Sequence, residues 1–242
     1  FRRVLFRSES IQWQEAIANE LQSMEQHGVW ELVPRPRGAN IVGCRWVFKV
    51  KTNADGSVER YKARLVAQGF RQKEGVDYQE VFAPTIGHES IRCILSLAAS
   101  FDMEIHHMDI KTAFLHGELE ETVYMKQPPG FARAGLQDYV CRLKRSIYGL
   151  KQSPRQWNRV IDGYLKEHGF RPSICEPCVY IRHRTGSTLP EIVTLSVDDL
   201  LLIGESTGLI SGMKKRLSDR FEVTDLGDLS YFLGIKVSRD RS

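Results

Sequence analysis

Two adjacent carboxylates, Asp198 and Asp199, interrupt the apolar run Val193 to Ile203. A strand so rich in Val, Leu and Ile belongs in a core, and carboxylates enter a core only with a partner or a cation. The pair falls where the run must turn back on itself, which predicts a β-hairpin whose tip presents two carboxylates. A third, Asp109, ends the apolar-flanked run Ile105 to Asp109 directly before a turn. Placed beside the hairpin tip in an antiparallel sheet, it would complete a cluster of three. Like charges so close raise one another's pKa unless a cation neutralises them. Hard oxygen donors select Mg²⁺, and two such ions serve phosphoryl transfer by activating the attacking oxygen and stabilising the leaving one.

The chain around these residues has 242 positions and is 42% hydrophobic, enough for one large or two small domains. No apolar stretch approaches the roughly 20 residues that span a bilayer, which predicts a soluble chain with no membrane partner. The N-terminal residues lack the apolar segment of a secretory signal. Five irregularly spaced cysteines argue for a reducing compartment, and Cys175 with Cys178 lacks two further ligands for zinc. The neighbours His106 and His107 would point to opposite faces of a strand. Net charge is +4, but Arg2, Arg3 and Arg7 carry three of those charges, so a polyanion must be held by local clustering.

One such cluster is legible. Two alternating runs flank Asn53-Ala54-Asp55-Gly56 and predict a hairpin. Trp46, Phe48, Val50, Tyr61, Ala63 and Leu65 share its apolar face. Arg45, Lys49, Lys51, Arg60, Lys62 and Arg64 share the other, with no acid among them. Cross-strand like charges are unfavourable unless an anion joins them, so this face reads as an anion-binding surface.

Helical spacing predicts helices over Ile11 to Met24, stopped by Gly28, and over Glu89 to Ser100, Pro154 to about His168, and Leu209 to Arg220. A short helix through Ala113 to His116 would be capped by Gly117. Strands are expected at Met103 to Asp109, Val123 to Met125, Tyr139 to Leu143, Phe221 to Val223 and Tyr231 to Val237. Without regular βαβ alternation, an α+β layer architecture fits best.

The motifs resemble, as an ordered set, the reverse transcriptase of copia-type long-terminal-repeat retrotransposons. They include Arg45-Trp-Val-Phe-Lys49, Arg60-Tyr-Lys-Ala-Arg-Leu-Val-Ala-Gln-Gly-Phe70 and Asp109-Ile-Lys-Thr-Ala-Phe-Leu-His-Gly117. Val123-Tyr-Met-Lys-Gln-Pro-Pro-Gly-Phe131, Ile147-Tyr-Gly-Leu-Lys-Gln-Ser-Pro-Arg-Gln-Trp157, Val197-Asp-Asp199 and Tyr231-Phe-Leu-Gly234 follow. The resemblance implies a right-hand polymerase with fingers mainly at 40–90 and palm mainly at 91–242. It implies that Asp109, Asp198 and Asp199, with the backbone carbonyl of Ile110, hold two Mg²⁺. Lys62, Arg64 and Gln152 would contact the incoming deoxynucleoside triphosphate, and Phe114 would gate its 2′ position. Gly149, Lys151, Pro154 and Ser196, with Phe232, Leu233 and Gly234 of a primer-gripping hairpin, would contact an RNA or DNA template and its primer. Either Lys214 or Lys215 could protonate the leaving pyrophosphate. The intact element would work in cytoplasmic virus-like particles.

Three departures from the family pattern stand out. Ser196 occupies the place of a usual tyrosine whose ring packs near the primer terminus; a large-to-small change of that kind costs about 2–5 kcal/mol where fully buried, which predicts weakened primer positioning. The thumb, the RNase H region and the preceding protease and integrase regions of such polyproteins are expected to lie outside this chain, leaving a reverse transcriptase fragment over 9–242. Residues 1–8 match no family motif and read as a disordered tail of separate origin. Two further functions compete with templated DNA synthesis: an inactive transposon remnant that folds and binds nucleic acid, and a metal-dependent nuclease.

Overall fold

The computed structural model describes residues 10–52 and 55–241. The expected tail at 1–8 and the hairpin-tip residues Asn53 and Ala54 lie outside them. Helical periodicity produces α1 (Ser10–Gln26), which Gly28 terminates in the left-handed region at φ +59°. Then come β1 (Trp30–Pro34), β2 (Ile41–Val42), β3 (Cys44–Thr52) and β4 (Val58–Ala67). After α2 (His88–Ser100), β5 (Glu104–Ile110) leads into a 3-10 turn at Ala113–His116. β6 (Glu118–Met125) and β7 (Tyr139–Arg145) precede α3 (Ser153–Glu167), which carries Pro154 in its first turn, where the missing N–H costs nothing. The chain continues through β8 (Arg171–Pro172), β9 (Val179–Arg182), β10 (Glu191–Ser196) and β11 (Asp199–Gly204). It ends with α4 (Thr207–Arg220), β12 (Val223–Asp228), β13 (Tyr231–Phe232) and β14 (Ile235–Lys236).

These elements form two compact units. One unit joins Phe114–Arg159 to the described residues up to Phe82, because β6 and β7 pair there. In that unit one sheet has the order β1-β7-β6-β2, and β3 and β4 form a separate hairpin. Helix α1 covers the hairpin's apolar face: the Trp13 ring meets Phe48 and Tyr61 edge-on at 5.1 and 4.6 Å. Cys44 and Cys141 are part of this core, and burial pushes their thiols up to about 11 and about 12, so both stay protonated at neutral pH. All five cysteines are free.

The other unit comprises Ala83–Ala113 and the described residues from Val160 onward and is built on a six-stranded antiparallel sheet, β12-β5-β11-β10-β9-β8. Its core joins Ile91, Ile94 and Ala98 of α2 to Leu201, Ile203 and Phe232. Among the described residues no helix is long and apolar enough to cross a membrane.

Three local expectations are corrected. The single strand over Tyr231 to Val237 is two short strands, because Leu233 and Gly234 take φ +45° and +84° and reverse the chain. The strand expected at Phe221 to Val223 starts at Val223 and continues to Asp228 across an irregularity at Asp225/Gly227. Gly117 is not a left-handed cap. A Cβ there would lie 2.8 Å from the Gln156 Cβ and 2.9 Å from the Ser146 hydroxyl, so glycine is needed for close packing.

Candidate active site

The carboxylates lie at one end of the six-stranded sheet. Val197 and Asp198 form a two-residue loop between β10 and β11, with Val197 held at φ +57°. A β-branched residue in that region is strained, and such strain persists only where the surroundings enforce it. The register sets Ser196 opposite Asp199, Asp199 opposite Asp109, and Asp109 opposite Thr224. Directly opposed residues share a face, so these four form one row across four strands. Asp198 stands in the turn beside that row, and the Ile110 N–H donates to its backbone carbonyl at 2.8 Å. The strand-end aspartate is therefore next to the aspartate hairpin, as the sequence predicts.

The His107 Nε2 donates to the Asp199 Oδ1 at 2.9 Å, and among the described residues no group of three or more His, Cys, Asp and Glu is placed to hold a metal ion. Asp109 and Asp199 repel as like charges opposed in a ladder. The donor chemistry itself, three carboxylates on neighbouring backbone positions, fits a hard divalent cation such as Mg²⁺.

Lys214 belongs elsewhere. Its Nζ donates to both Asp225 oxygens at 2.7 Å and lies 2.8 Å from His106 Nδ1. Burial is the largest single influence and raises the Asp225 carboxyl, but the hydrogen bonds from Lys214 and the Gly227 N–H and the charges of Lys214 and His106 together outweigh it, and the pKa falls below the ordinary 3.8. His106 alternates with His107 and Asp109 along β5, so Lys214 sits on the sheet face opposite the carboxylate row. Lys215, beside it on α4, is exposed.

In the other unit, the β3–β4 register confirms the two faces of the basic hairpin: Lys49 opposes Lys62, and Lys51 opposes Arg60. Arg64 is opposite Val47 and leaves the cation rows for an aromatic pair. Its guanidinium lies over the Tyr148 ring at 4.7 Å, and the Tyr148 ring meets Phe114 in a T-shape at 4.6 Å. The Arg64 Nε is buried and has no hydrogen-bond partner among the described residues. Phe114 is buried, and its backbone carbonyl accepts from the Ser146 hydroxyl at 2.6 Å. Glu20 faces the same cations from α1. Burial raises its pKa above 4.5, although the Leu65 N–H donates to it at 3.1 Å and Arg64 and Lys62 oppose the shift. Sequence reasoning missed Tyr148; the signal was its place in the Ile147-Tyr-Gly motif, three positions before Lys151.

The stretch 149–154 departs most from expectation. Gln152 is fully buried. Its Oε1 accepts from Gln72 Nε2 at 2.9 Å, and its own Nε2 donates to the Asp77 carbonyl at 2.8 Å and to Glu121 Oε2 at 3.2 Å. A side chain sealed and bonded in this way braces the fold from within. Lys151 is exposed, but its Nζ donates to the Tyr78 hydroxyl at 2.9 Å and lies over that ring. Pro154 is half-buried at the start of α3. Gly149 takes φ +89° with its backbone against Ala67. Of the 231–236 hairpin, Phe232 is core and 1% exposed, whereas Leu233 and Gly234 form the turn and Tyr231 is 58% exposed.

Residues 27–242 match the family model described as reverse transcriptase (RNA-dependent DNA polymerase). The chain belongs to the copia-type retrotransposon reverse transcriptases. It is 44% identical over its whole length to the retrovirus-related Pol polyprotein from transposon TNT 1-94 of Nicotiana tabacum, covering 18% of that protein. That span reaches into residues 1–8, for which the motifs offer no family counterpart. The corresponding polyprotein from transposon RE2 of Arabidopsis thaliana is 44% identical over 94% of the chain, which covers 16% of it. A Saccharomyces cerevisiae Ty1-DR1 Gag-Pol polyprotein is 29% identical over 84% of the chain, or 11% of its own length. This reverse transcriptase domain thus spans less than a fifth of each of these three polyproteins.

Proposed function

We propose that this reverse transcriptase domain carries out templated DNA synthesis, transferring a nucleotide from a deoxynucleoside triphosphate to a primer 3′-hydroxyl on an RNA or DNA template. The observation that carries the reading is the direct cross-strand pairing of Asp199 with Asp109, with Asp198 in the adjoining turn. We assign the palm to the six-stranded sheet and the fingers to the basic hairpin.

In this reading Asp109, Asp198 and Asp199, with the Ile110 carbonyl, hold two Mg²⁺. When bound, such ions neutralise the phosphates and make the hydroxyl a better nucleophile. The hydroxyl oxygen bonds to the α-phosphorus as its proton passes to water, and the bond to pyrophosphate breaks. Lys62 and Arg64 bind the triphosphate. Arg64 is held flat by Tyr148, and its buried, unpartnered Nε is a donor that a phosphate oxygen would satisfy. Phe114, braced edge-on by Tyr148, excludes a 2′-hydroxyl. Leu233 and Gly234 contact the primer strand. The other polyprotein regions are its partners, and the intact element works in cytoplasmic particles.

Primer extension on a poly(rA) template with Mg²⁺ tests the proposal. Extension by the chain, abolished in Asp198→Asn, is the expected result. Binding without extension identifies an inactive remnant, which Ser196 favours, and strand cleavage identifies a nuclease. The aromatic support has its own signature. Tyr148→Leu should raise the KM for the nucleotide about tenfold, the scale of a desolvated cation–π contact, with a smaller effect on kcat. Tyr148→Phe should restore it, and single-nucleotide incorporation kinetics would read both. Equal KM values in the two variants would show that the ring does not support Arg64.

A further inference from the structure

We propose that His107 is a positioning residue for Asp199, holding that carboxylate by one oxygen and leaving the other for a cation. The proposal rests on the reading of Asp199 as a metal ligand. His107 lies two positions before Asp109 on β5 and therefore on the same face of the sheet, where its direct partner on β11 is Leu201. Asp199 is the diagonal neighbour, within reach of a long side chain. An ionised carboxylate only accepts, so the 2.9 Å contact assigns the imidazole proton to Nε2. The ring is not free to turn. Its side chain is 14% exposed, and it meets Phe232 edge-on at 5.4 Å, itself locked in the core.

The contrast with His106 sharpens the assignment. That neighbour faces the opposite side of the sheet and is occupied with Lys214 and Asp228. The two rings of the doublet thus serve different faces, and only His107 reaches the carboxylate row. A ligating carboxylate that is itself hydrogen-bonded keeps its orientation, and loss of such a partner typically costs 10–100-fold in metal affinity or activity. His107 also joins Asp199 to the 231–236 hairpin through one aromatic contact, so the carboxylate orientation depends on how Phe232 seats.

The test is Mn²⁺ binding to the whole chain, followed by electron paramagnetic resonance of the free ion, in His107→Leu, His107→Gln and Asp199→Asn. His107→Leu should weaken Mn²⁺ binding about tenfold or more. His107→Gln, whose amide can still donate to Asp199, should stay close to wild type. In primer extension the loss should fall on the metal concentration required rather than on nucleotide KM. Wild-type Mn²⁺ affinity in His107→Leu, with a loss in Asp199→Asn, overturns the proposal alone. Wild-type affinity in Asp199→Asn overturns it together with the ligand reading. Independently of any variant at position 107, nitrogen-15 NMR of the unaltered chain should find the His107 proton on Nε2; a proton on Nδ1 overturns the assignment.

Discussion

Replacing Asp109 by asparagine is expected to end primer extension while leaving the fold as stable as before, or slightly more so. Loss of a partner standing behind a metal ligand already costs 10–100-fold, so loss of a ligand should exceed about 100-fold. The same carboxylate burdens the fold. Asp109 is directly opposite Asp199, and opposed like charges destabilise a ladder by about 0.2–1 kcal/mol. Asparagine keeps the shape and removes the charge. In metal-free buffer the urea midpoint should therefore hold or rise, and primer extension should fall below one-hundredth of wild type. A variant that loses stability in step with activity would show Asp109 to be structural.

Gly149→Ala should be strongly destabilising. Two penalties combine there. The residue takes φ +89°, where an L side chain costs about 1–2 kcal/mol. An added Cβ would also overlap the Ala67 carbonyl and lie 2.6 Å from Val66 Cγ1. The backbones cannot separate freely, because the Ala67 N–H donates to the Tyr148 carbonyl at 2.8 Å. Overpacking of this kind adds about 1–3 kcal/mol, for a total of roughly 3 kcal/mol. Gly28→Ala isolates the first penalty, since Gly28 has φ +59° but open space around it. Denaturant unfolding should show Gly149→Ala losing at least twice as much stability as Gly28→Ala. Equal losses would remove the steric part of the account.

Local pattern carried far along this chain. Alternation at Trp46, Phe48 and Val50 against Arg45, Lys49 and Lys51 was sufficient for the two faces of the basic hairpin, because period two leaves no other arrangement. The apolar run around Asp198 and Asp199 was sufficient for their turn, and the strand end at Asp109 for its approach to them. Short strands such as β2 and β8, two residues each, were not legible, since two residues carry no period. The surroundings of Gln152 were not legible for a different reason. Its motif resembles a nucleotide-binding stretch, but its burial depends on Gln72, Asp77 and Glu121, brought to it from 31 to 80 positions away.

The amino-acid sequence by itself determined the reverse transcriptase ancestry, through motifs ordered along the chain, and the acidic turn and the cationic hairpin, through neighbours within a few residues. Tertiary structure alone decided which groups hold them. Asp199 meets a histidine 92 positions away, Arg64 rests on Tyr148, and Lys214 is committed to the far side of the sheet. Such pairings depend on strand register and packing between distant segments. A one-residue slip would send the strand residues among them, His107, Asp199 and Arg64, to the other face, and no local pattern encodes that choice.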